Sequence, residues 1–150
     1  MSGQLGLPLF SKDTIKEALL DTIGGDTVEE SKALGRVAIA VMLALADDSS
    51  GAVLESVWRR SLAVVELRAL NGRVAEVFCR CPAETARARY RQREGRATGH
   101  FDHERLDDDL WHGESAEPIA GGWPVVEVDT TASVDERELA NLIQRHLEAH

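Results

Sequence analysis

Short apolar segments alternate with helical patterns along the chain, and this alternation constrains the fold more than any other feature. Four segments have the length and composition of β-strands, namely residues 7–10, 52–58, 74–81 and 124–131. Parallel strands need crossover connections, and helices are the usual crossovers. The pattern therefore predicts an α/β fold with a mostly parallel sheet and helices on both faces, in a single domain over residues 1–150.

Helices are predicted from apolar spacing and from residues typical of helix ends. They cover about residues 14–23, 28–46, 61–70, a segment that begins at Pro82, 103–112 and 134–148. Thr14 and Glu17 have the spacing of a capping box for the first helix. Residues 37–46 are apolar on every side, which predicts a helix packed between other elements.

Composition and charge exclude several classes of function. The chain is 43% hydrophobic and 29% charged, as in ordinary soluble domains. Its net charge of −9 argues against general nucleic-acid binding. Its longest apolar run is too short to span a bilayer, and its first residues do not resemble a signal peptide. We therefore expect a cytoplasmic protein that binds neither nucleic acid nor membrane.

Arginines are concentrated between residues 80 and 96, although the chain is acidic overall. This basic segment contains Arg80, Arg87, Arg89, Arg91, Arg93 and Arg96. Because arginine binds phosphate and carboxylate groups in a planar fork, the segment predicts a local anion site. A solvated basic helix is the alternative.

Metal binding and disulfide formation are not predicted. Cys79 and Cys81 alternate along a predicted strand, where geometry does not favour a bridge, so we expect two buried free thiols. His100, Asp102 and His103 are close in sequence, but their spacing is not that of a zinc site.

Five segments together resemble the small P-loop kinases. They are LGLPLFSKDTIKEAL, GAVLESVWRR, VAEVFCRCPAETARARYRQR, GHFD and PVVEVDTT, and they extend over nearly the whole chain. The likeness is to gluconate kinase, shikimate kinase, chloramphenicol phosphotransferase and the AAA-type ATP-binding proteins of this group. It implies a three-layer P-loop NTPase-like fold. It also implies an ATP-dependent phosphotransferase that acts on a hydroxyl group of a small molecule, with ATP and Mg²⁺ as cofactors.

The same resemblance implies that the chain begins at the second strand of the family. In the family, a first strand, the phosphate loop G-x-x-x-x-G-K-[ST] and a helix come before the segment that matches LPLFSKD. None of the lysines, Lys12, Lys16 and Lys32, has this glycine pattern before it. We therefore expect an N-terminally truncated kinase, in which exposed sheet edges would favour self-association. A non-catalytic remnant or binding module is the alternative, and a kinase for a larger partner is a third possibility.

The resemblance assigns roles to residues at the first two strand ends. Asp13 would be the general base that accepts the proton of the acceptor hydroxyl. A helix N-cap is the other interpretation of Asp13. Lys12, Arg59 and Arg60 would bind the substrate, although each also fits an exposed position in a turn or at a helix start. Glu55 would orient Mg²⁺ through water, or would simply be a polar residue at a strand end.

The remaining assigned residues would face the nucleotide. Arg91 and Arg93 would be catalytic and would close over ATP as part of a lid at about residues 93–102. Arg87, on the helix that begins at Pro82, would contact the cofactor. Asp129 and Thr130 would border the nucleotide at the end of the last strand, unless they form only a turn.

Overall fold

The computed structural model describes residues 1–92 and 113–149, and these residues form a mixed α/β fold. In chain order, the elements are α1 (Ser2–Leu5), β1 (Leu9–Ser11), α2 (Lys12–Ile23), α3 (Val28–Asp47), β2 (Val53–Glu55), α4 (Arg60–Arg68), β3 (Glu76–Arg80), α5 (Ala83–Arg91), a short 3₁₀ helix (Gly113–Ser115), β4 (Val125–Asp129) and α6 (Glu136–Glu148). The predicted alternation of strands and helices is confirmed in these ranges. The helix predicted at 103–112 lies outside them.

The four strands form two parallel pairs. β1 pairs with β2, and the register runs from Leu9 opposite Val53 to Ser11 opposite Glu55. β3 pairs with β4 over five positions that end with Arg80 opposite Asp129. The predicted parallel direction is confirmed, but the described strands make two two-stranded sheets instead of one.

The starts of α2 and α3 are fixed by side-chain caps. The predicted capping box of Thr14 and Glu17 is wrong, because extended Ser11 is the N-cap of α2 and its Oγ accepts a hydrogen bond from the Thr14 N–H at 3.5 Å. A capping box instead begins α3, where Thr27 Oγ1 accepts from the Glu30 N–H at 3.2 Å. Glu30 accepts from Thr27 in return, and these bonds lower the pKa of Glu30.

Only one face of α3 is buried among the described residues. Ala38 and Met42 are fully buried at 0% exposure, whereas Val37, Val41 and Leu45 are 38–45% exposed. The exposed side chains are spaced four residues apart and therefore share one face of the helix. The prediction of a helix buried on all sides is thus wrong for this face.

An apolar cluster joins α4 to the segment before β4. Ala63, Leu67 and Ile119 are buried at its centre, and Leu54 and Trp58 pack around them. The predicted strand over 52–58 is shorter in the structure and ends at Glu55, so Trp58 joins the cluster from outside the strand. This packing fixes β2 against α4 and the segment before β4.

One lysine is buried between α2 and α3, and the burial of the cysteines differs from the prediction. Lys16 of α2 is buried at 1% exposure, and its ammonium donates to Ser31 Oγ on α3 at 2.6 Å. Both cysteines are free, as predicted, but Cys79 is exposed and Cys81 is half-buried. Cys79 is the fourth residue of β3 and lies near the carboxyl end of the strand. The predicted burial of its side chain is therefore wrong. No helix in the described part of the chain is long and apolar enough to cross a membrane.

Candidate functional site

The carboxyl ends of β1 and β2 are joined by a side-chain hydrogen bond. Ser11 and Glu55 are opposite each other in the register, and Ser11 Oγ donates to Glu55 Oε2 at 2.6 Å. The same hydroxyl accepts from the Thr14 N–H in the first turn of α2. Ser11 therefore connects the end of β2 to the start of the helix that carries the next two polar side chains.

Lys12 and Asp13 begin α2 directly beside this contact. Lys12 Nζ lies 3.2 Å from Asp13 Oδ1, and the side chains are 19% and 41% exposed. A negative charge in the first turn of a helix is favoured by the helix dipole. Because Ser11 is the N-cap, capping does not account for the carboxylate of Asp13, and the helix-cap interpretation of this residue is wrong.

The structure thus brings together three residues that the sequence analysis assigned to the site. Lys12, Asp13 and Glu55 lie with Ser11 at one edge of the β1–β2 pair. A partly exposed carboxylate can accept the proton of a bound hydroxyl group, and the ammonium beside it can help to bind the same molecule. We call these four residues the strand-end cluster.

Asp129 and Thr130 form a closed turn at the end of β4. Asp129 Oδ1 accepts from the Thr131 N–H at 2.8 Å and from Thr131 Oγ1 at 2.7 Å. These bonds lower the pKa of Asp129. Thr130 donates from its N–H and its hydroxyl to the Arg80 carbonyl at 2.9 and 3.0 Å. The turn is therefore well ordered by its own bonds, whether or not a nucleotide lies beside it.

Arg89 is a structural residue of this region that the sequence analysis assigned no individual role. Its guanidinium donates to the carbonyls of Thr130 and Thr131 at 2.7 and 3.0 Å, so it holds α5 against the turn. The cluster of arginines predicted a local anion site, whereas the groups that Arg89 contacts are backbone carbonyls. The sequence could not indicate these partners, because they lie more than forty residues further along the chain.

Two of the arginines with predicted roles toward the nucleotide, Arg87 and Arg91, lie on α5. Arg87 is half-buried on α5, and Arg91 is the last residue of that helix. Arg93 and the predicted lid at 93–102 lie outside the described residues. Their predicted roles toward the nucleotide stay predictions.

Arg59 and Arg60 flank a second polar contact at the start of α4. The carboxylate of Glu114 accepts from the Ser61 N–H at 3.0 Å and from Ser61 Oγ at 2.6 Å. These bonds, and then the charges of Arg59 and Arg60, lower the pKa of Glu114. An open cavity of about 440 Å³ lies here between Arg60 and Arg68.

This cavity is separate from the strand-end cluster. Its lining includes Arg60, Ser61 and Glu114, and it does not include Lys12 or Asp13. The structure therefore does not bring Arg60 into one pocket with the residues assigned to the reaction. Among the described residues, no group of three histidine, cysteine or acidic side chains is arranged to hold a metal ion.

The negative charge of Glu55 acts on a thiol of the other strand pair. Partial desolvation raises the pKa of the Cys79 thiol, and the charge of Glu55 raises it further. Cys79 belongs to β3 and Glu55 to β2.

Comparison with known proteins shows what the fold resembles. No family model matches the sequence, and no curated protein matches it. Among solved structures, the chain is similar to a protein of Chloroflexus aurantiacus J-10-fl that is described as a "putative kinase". The identity is 25% and the TM-score is 0.79, over 97% of this chain and 87% of the other. The mixed α/β arrangement with parallel strand pairs is thus the fold of a kinase-like protein.

Proposed function

We propose that this protein is an ATP-dependent phosphotransferase that transfers the γ-phosphoryl group to a hydroxyl of a small molecule. The observation that carries the proposal is the strand-end cluster, in which the Asp13 carboxylate lies beside the Lys12 ammonium at the carboxyl end of β1. Ligands of open parallel α/β sheets bind at that edge. The similarity to a kinase-like structure supports the class of reaction.

In this proposal, Asp13 accepts the proton of the acceptor hydroxyl as its oxygen attacks the phosphoryl group. Lys12 holds an anionic or polar group of the same substrate. Glu55 keeps the turn that carries both residues in place through Ser11, whose hydroxyl donates to Glu55 Oε2. Arg59 and Arg60 would contact only a substrate long enough to extend to the cavity at the start of α4.

The residues of the strand-end cluster suit Mg²⁺ better than they suit ATP. Carboxylates such as those of Glu55 and Asp13 are the type of ligand that Mg²⁺ prefers, either directly or through water. The phosphates of ATP do not fit the strand-end cluster, which offers a single ammonium against two carboxylates. The sequence contains no G-x-x-x-x-G-K segment, so we propose that the phosphate-binding groups come from outside these 150 residues.

A non-catalytic binding module is the second candidate. The observation that favours it is the same absence of a phosphate-binding loop from the 150 residues. Backbone N–H groups of such a loop and a bound metal contribute most of the stabilisation in phosphoryl transfer. A chain that works without them would retain only the acceptor-binding part of the site.

The test compares two variants of the protein isolated at its natural length. Phosphoryl transfer from labelled ATP is measured on a panel of sugar acids, hydroxylated ring acids and nucleosides. Asp13→Asn lowers kcat by about 10²–10⁴-fold, because the proton acceptor is lost. Asp21→Asn, on an exposed position of the same helix, leaves the rate unchanged. Equal activity of the Asp13 variant and the parent protein would show that Asp13 is not the base.

A further inference from the structure

One edge of β4 has no strand partner among the residues that the structure describes. β4 pairs there only with β3. The Thr130 N–H donates to the Arg80 carbonyl at 2.9 Å, so the even-numbered peptide groups of this segment face β3. Peptide groups alternate in direction along a strand. The other edge therefore presents the N–H and carbonyl groups of Val125, Glu127 and Asp129.

A groove of about 260 Å³ lies between β4 and helix α6. Its apolar lining consists of Val126 and Val128 from the strand and Leu139 and Leu142 from the helix. Val126 is buried, and the other three side chains are half-buried. In the described part of the chain, no residue of β3 lines this groove, so it opens on the side of β4 that lacks a strand partner. We call it the β4–α6 groove.

The charged residues of the β4–α6 groove are all acidic. The lining includes Glu127, Asp129, Asp135 and Glu138, and among the described residues it includes no lysine or arginine. All four side chains are exposed. Glu127 pairs with Arg80 at 2.7 Å, but the other three carboxylates keep the groove negative. Complementary charge favours a specific partner, so the groove favours an occupant with basic side chains.

A second copy of β4 fits this edge poorly. Two copies that pair along the whole strand around a two-fold axis are antiparallel, and β4 extends from Val125 to Asp129. Glu127, at the centre of the strand, would then lie opposite Glu127 of the second copy. Like charges directly opposite each other on neighbouring strands are destabilising. The charges of the edge therefore favour a partner of different sequence.

We propose that the β4–α6 groove binds an extended segment of a partner protein, which adds a strand to β4 and carries apolar and basic side chains in alternation. Side chains of neighbouring strands share the two faces of a sheet. On the face of Val126 and Val128, the added side chains enter the groove and are apolar. On the face of Glu127 and Asp129, they are lysine or arginine.

Strand addition of this kind divides affinity and specificity between two sets of contacts. Main-chain hydrogen bonds to the edge supply affinity, and the positions that receive alternate side chains supply specificity. The groove belongs to the β3–β4 pair, whereas the strand-end cluster belongs to the β1–β2 pair. The interaction is therefore additional to the proposed phosphoryl transfer and does not rest on it.

The experiment is amide hydrogen exchange, resolved to single residues, on the protein isolated from its own cells. The probe is a peptide of alternating lysine and valine that is slightly longer than β4. At a peptide concentration of about ten times Kd, exchange of the Val125 and Glu127 amides slows by about tenfold. Two control peptides leave these amides unchanged: one has glutamate in place of lysine, and the other has the same lysines and valines in two separate blocks.

Three results would overturn the proposal. The first is no slowing with the alternating peptide at concentrations up to about 1 mM. The second is equal slowing with either control peptide, since binding would then not depend on charge or on alternation. The third is slow exchange of the Val125 and Glu127 amides before any peptide is added. Another segment of the polypeptide or a second copy would then already pair with the edge, and loss of this protection on dilution would identify the second copy.

Two variants of Glu127 separate main-chain pairing from charge. Glu127→Pro removes an N–H on the unpaired edge, where proline is compatible with a strand, and weakens binding of the labelled alternating peptide by at least about tenfold. Glu127→Gln keeps that N–H and weakens binding by less than about fivefold. Equal affinities of the two variants would contradict pairing with β4. The exchange measurement on the unchanged protein decides the same question without relying on how either variant folds.

Discussion

Glu76 offers the strongest test of how the segment before β4 is held in place. Its carboxylate accepts three hydrogen bonds, from the Ile119 N–H at 2.6 Å, the Ala120 N–H at 2.9 Å and Trp123 Nε1 at 3.0 Å. Ile119 is 5% exposed and belongs to the central apolar cluster. One carboxylate at the start of β3 therefore fixes the loop that completes this cluster.

Glu76→Ala is expected to lower the free energy of unfolding by about 3 kcal/mol, since three bonds worth about 1 kcal/mol each are lost. Glu76→Gln keeps one oxygen acceptor and loses one or two of the three bonds, so its loss is about 1–2 kcal/mol. Domains of this size have a total stability of about 5–15 kcal/mol, so the difference is easily measured by urea unfolding.

The matched control is Glu127→Ala, on the neighbouring strand. Glu127 pairs with Arg80 at 2.7 Å, but both side chains are about half exposed. Exposed ion pairs of this kind contribute about 0–1 kcal/mol. If Glu76→Ala and Glu127→Ala destabilise the protein equally, the three bonds to Glu76 do not hold the loop as described.

Three further predictions concern stability. The lowered pKa of Glu114 contributes stability that is present above the unfolded-state pKa and is lost as pH falls through the folded-state pKa. In urea unfolding, Glu114→Gln should therefore lose less stability between pH 7 and pH 3 than the parent protein. An equal loss of stability would contradict this role of Glu114. Met42→Ala should lower the free energy of unfolding by about 2–5 kcal/mol, because the side chain is fully buried. Val41 is exposed, so Val41→Ala, measured in the same urea experiment, should lower it much less. Similar losses would mean that α3 does not bury the face described. Thr27→Ala should cost about 1 kcal/mol in thermal unfolding through loss of the α3 cap, and Thr27→Ser should restore most of it.

Sequence reasoning succeeded where the signal is local. The four strands were predicted because each is a short apolar run next to turn residues. Asp13, Lys12 and Glu55 were assigned through the resemblance to the small P-loop kinases, and their roles stay predictions. The start of α2 was misplaced by two residues. Both Ser11 and Thr14 can cap a helix, and the choice depended on the extended backbone of Ser11 at the strand end.

Features that depend on distant partners could not be predicted. The bonds of Glu76 reach residues more than forty positions away, and so do those of Arg89. The exposed face of α3 was predicted to be buried because Val37, Val41 and Leu45 are apolar. An apolar pattern shows that a face can be buried, but it does not show which segment covers it.

The most direct test of the account is calorimetric titration of MgATP into the protein isolated from its own cells and into the 150-residue chain. The account predicts binding by the natural-length protein with Kd between about 1 μM and 1 mM, the ordinary range for enzyme substrates. It predicts no measurable binding by the 150-residue chain, because the strand-end cluster has no cradle for the phosphates. Absence of binding by the natural-length protein, or equal binding by both, would contradict it.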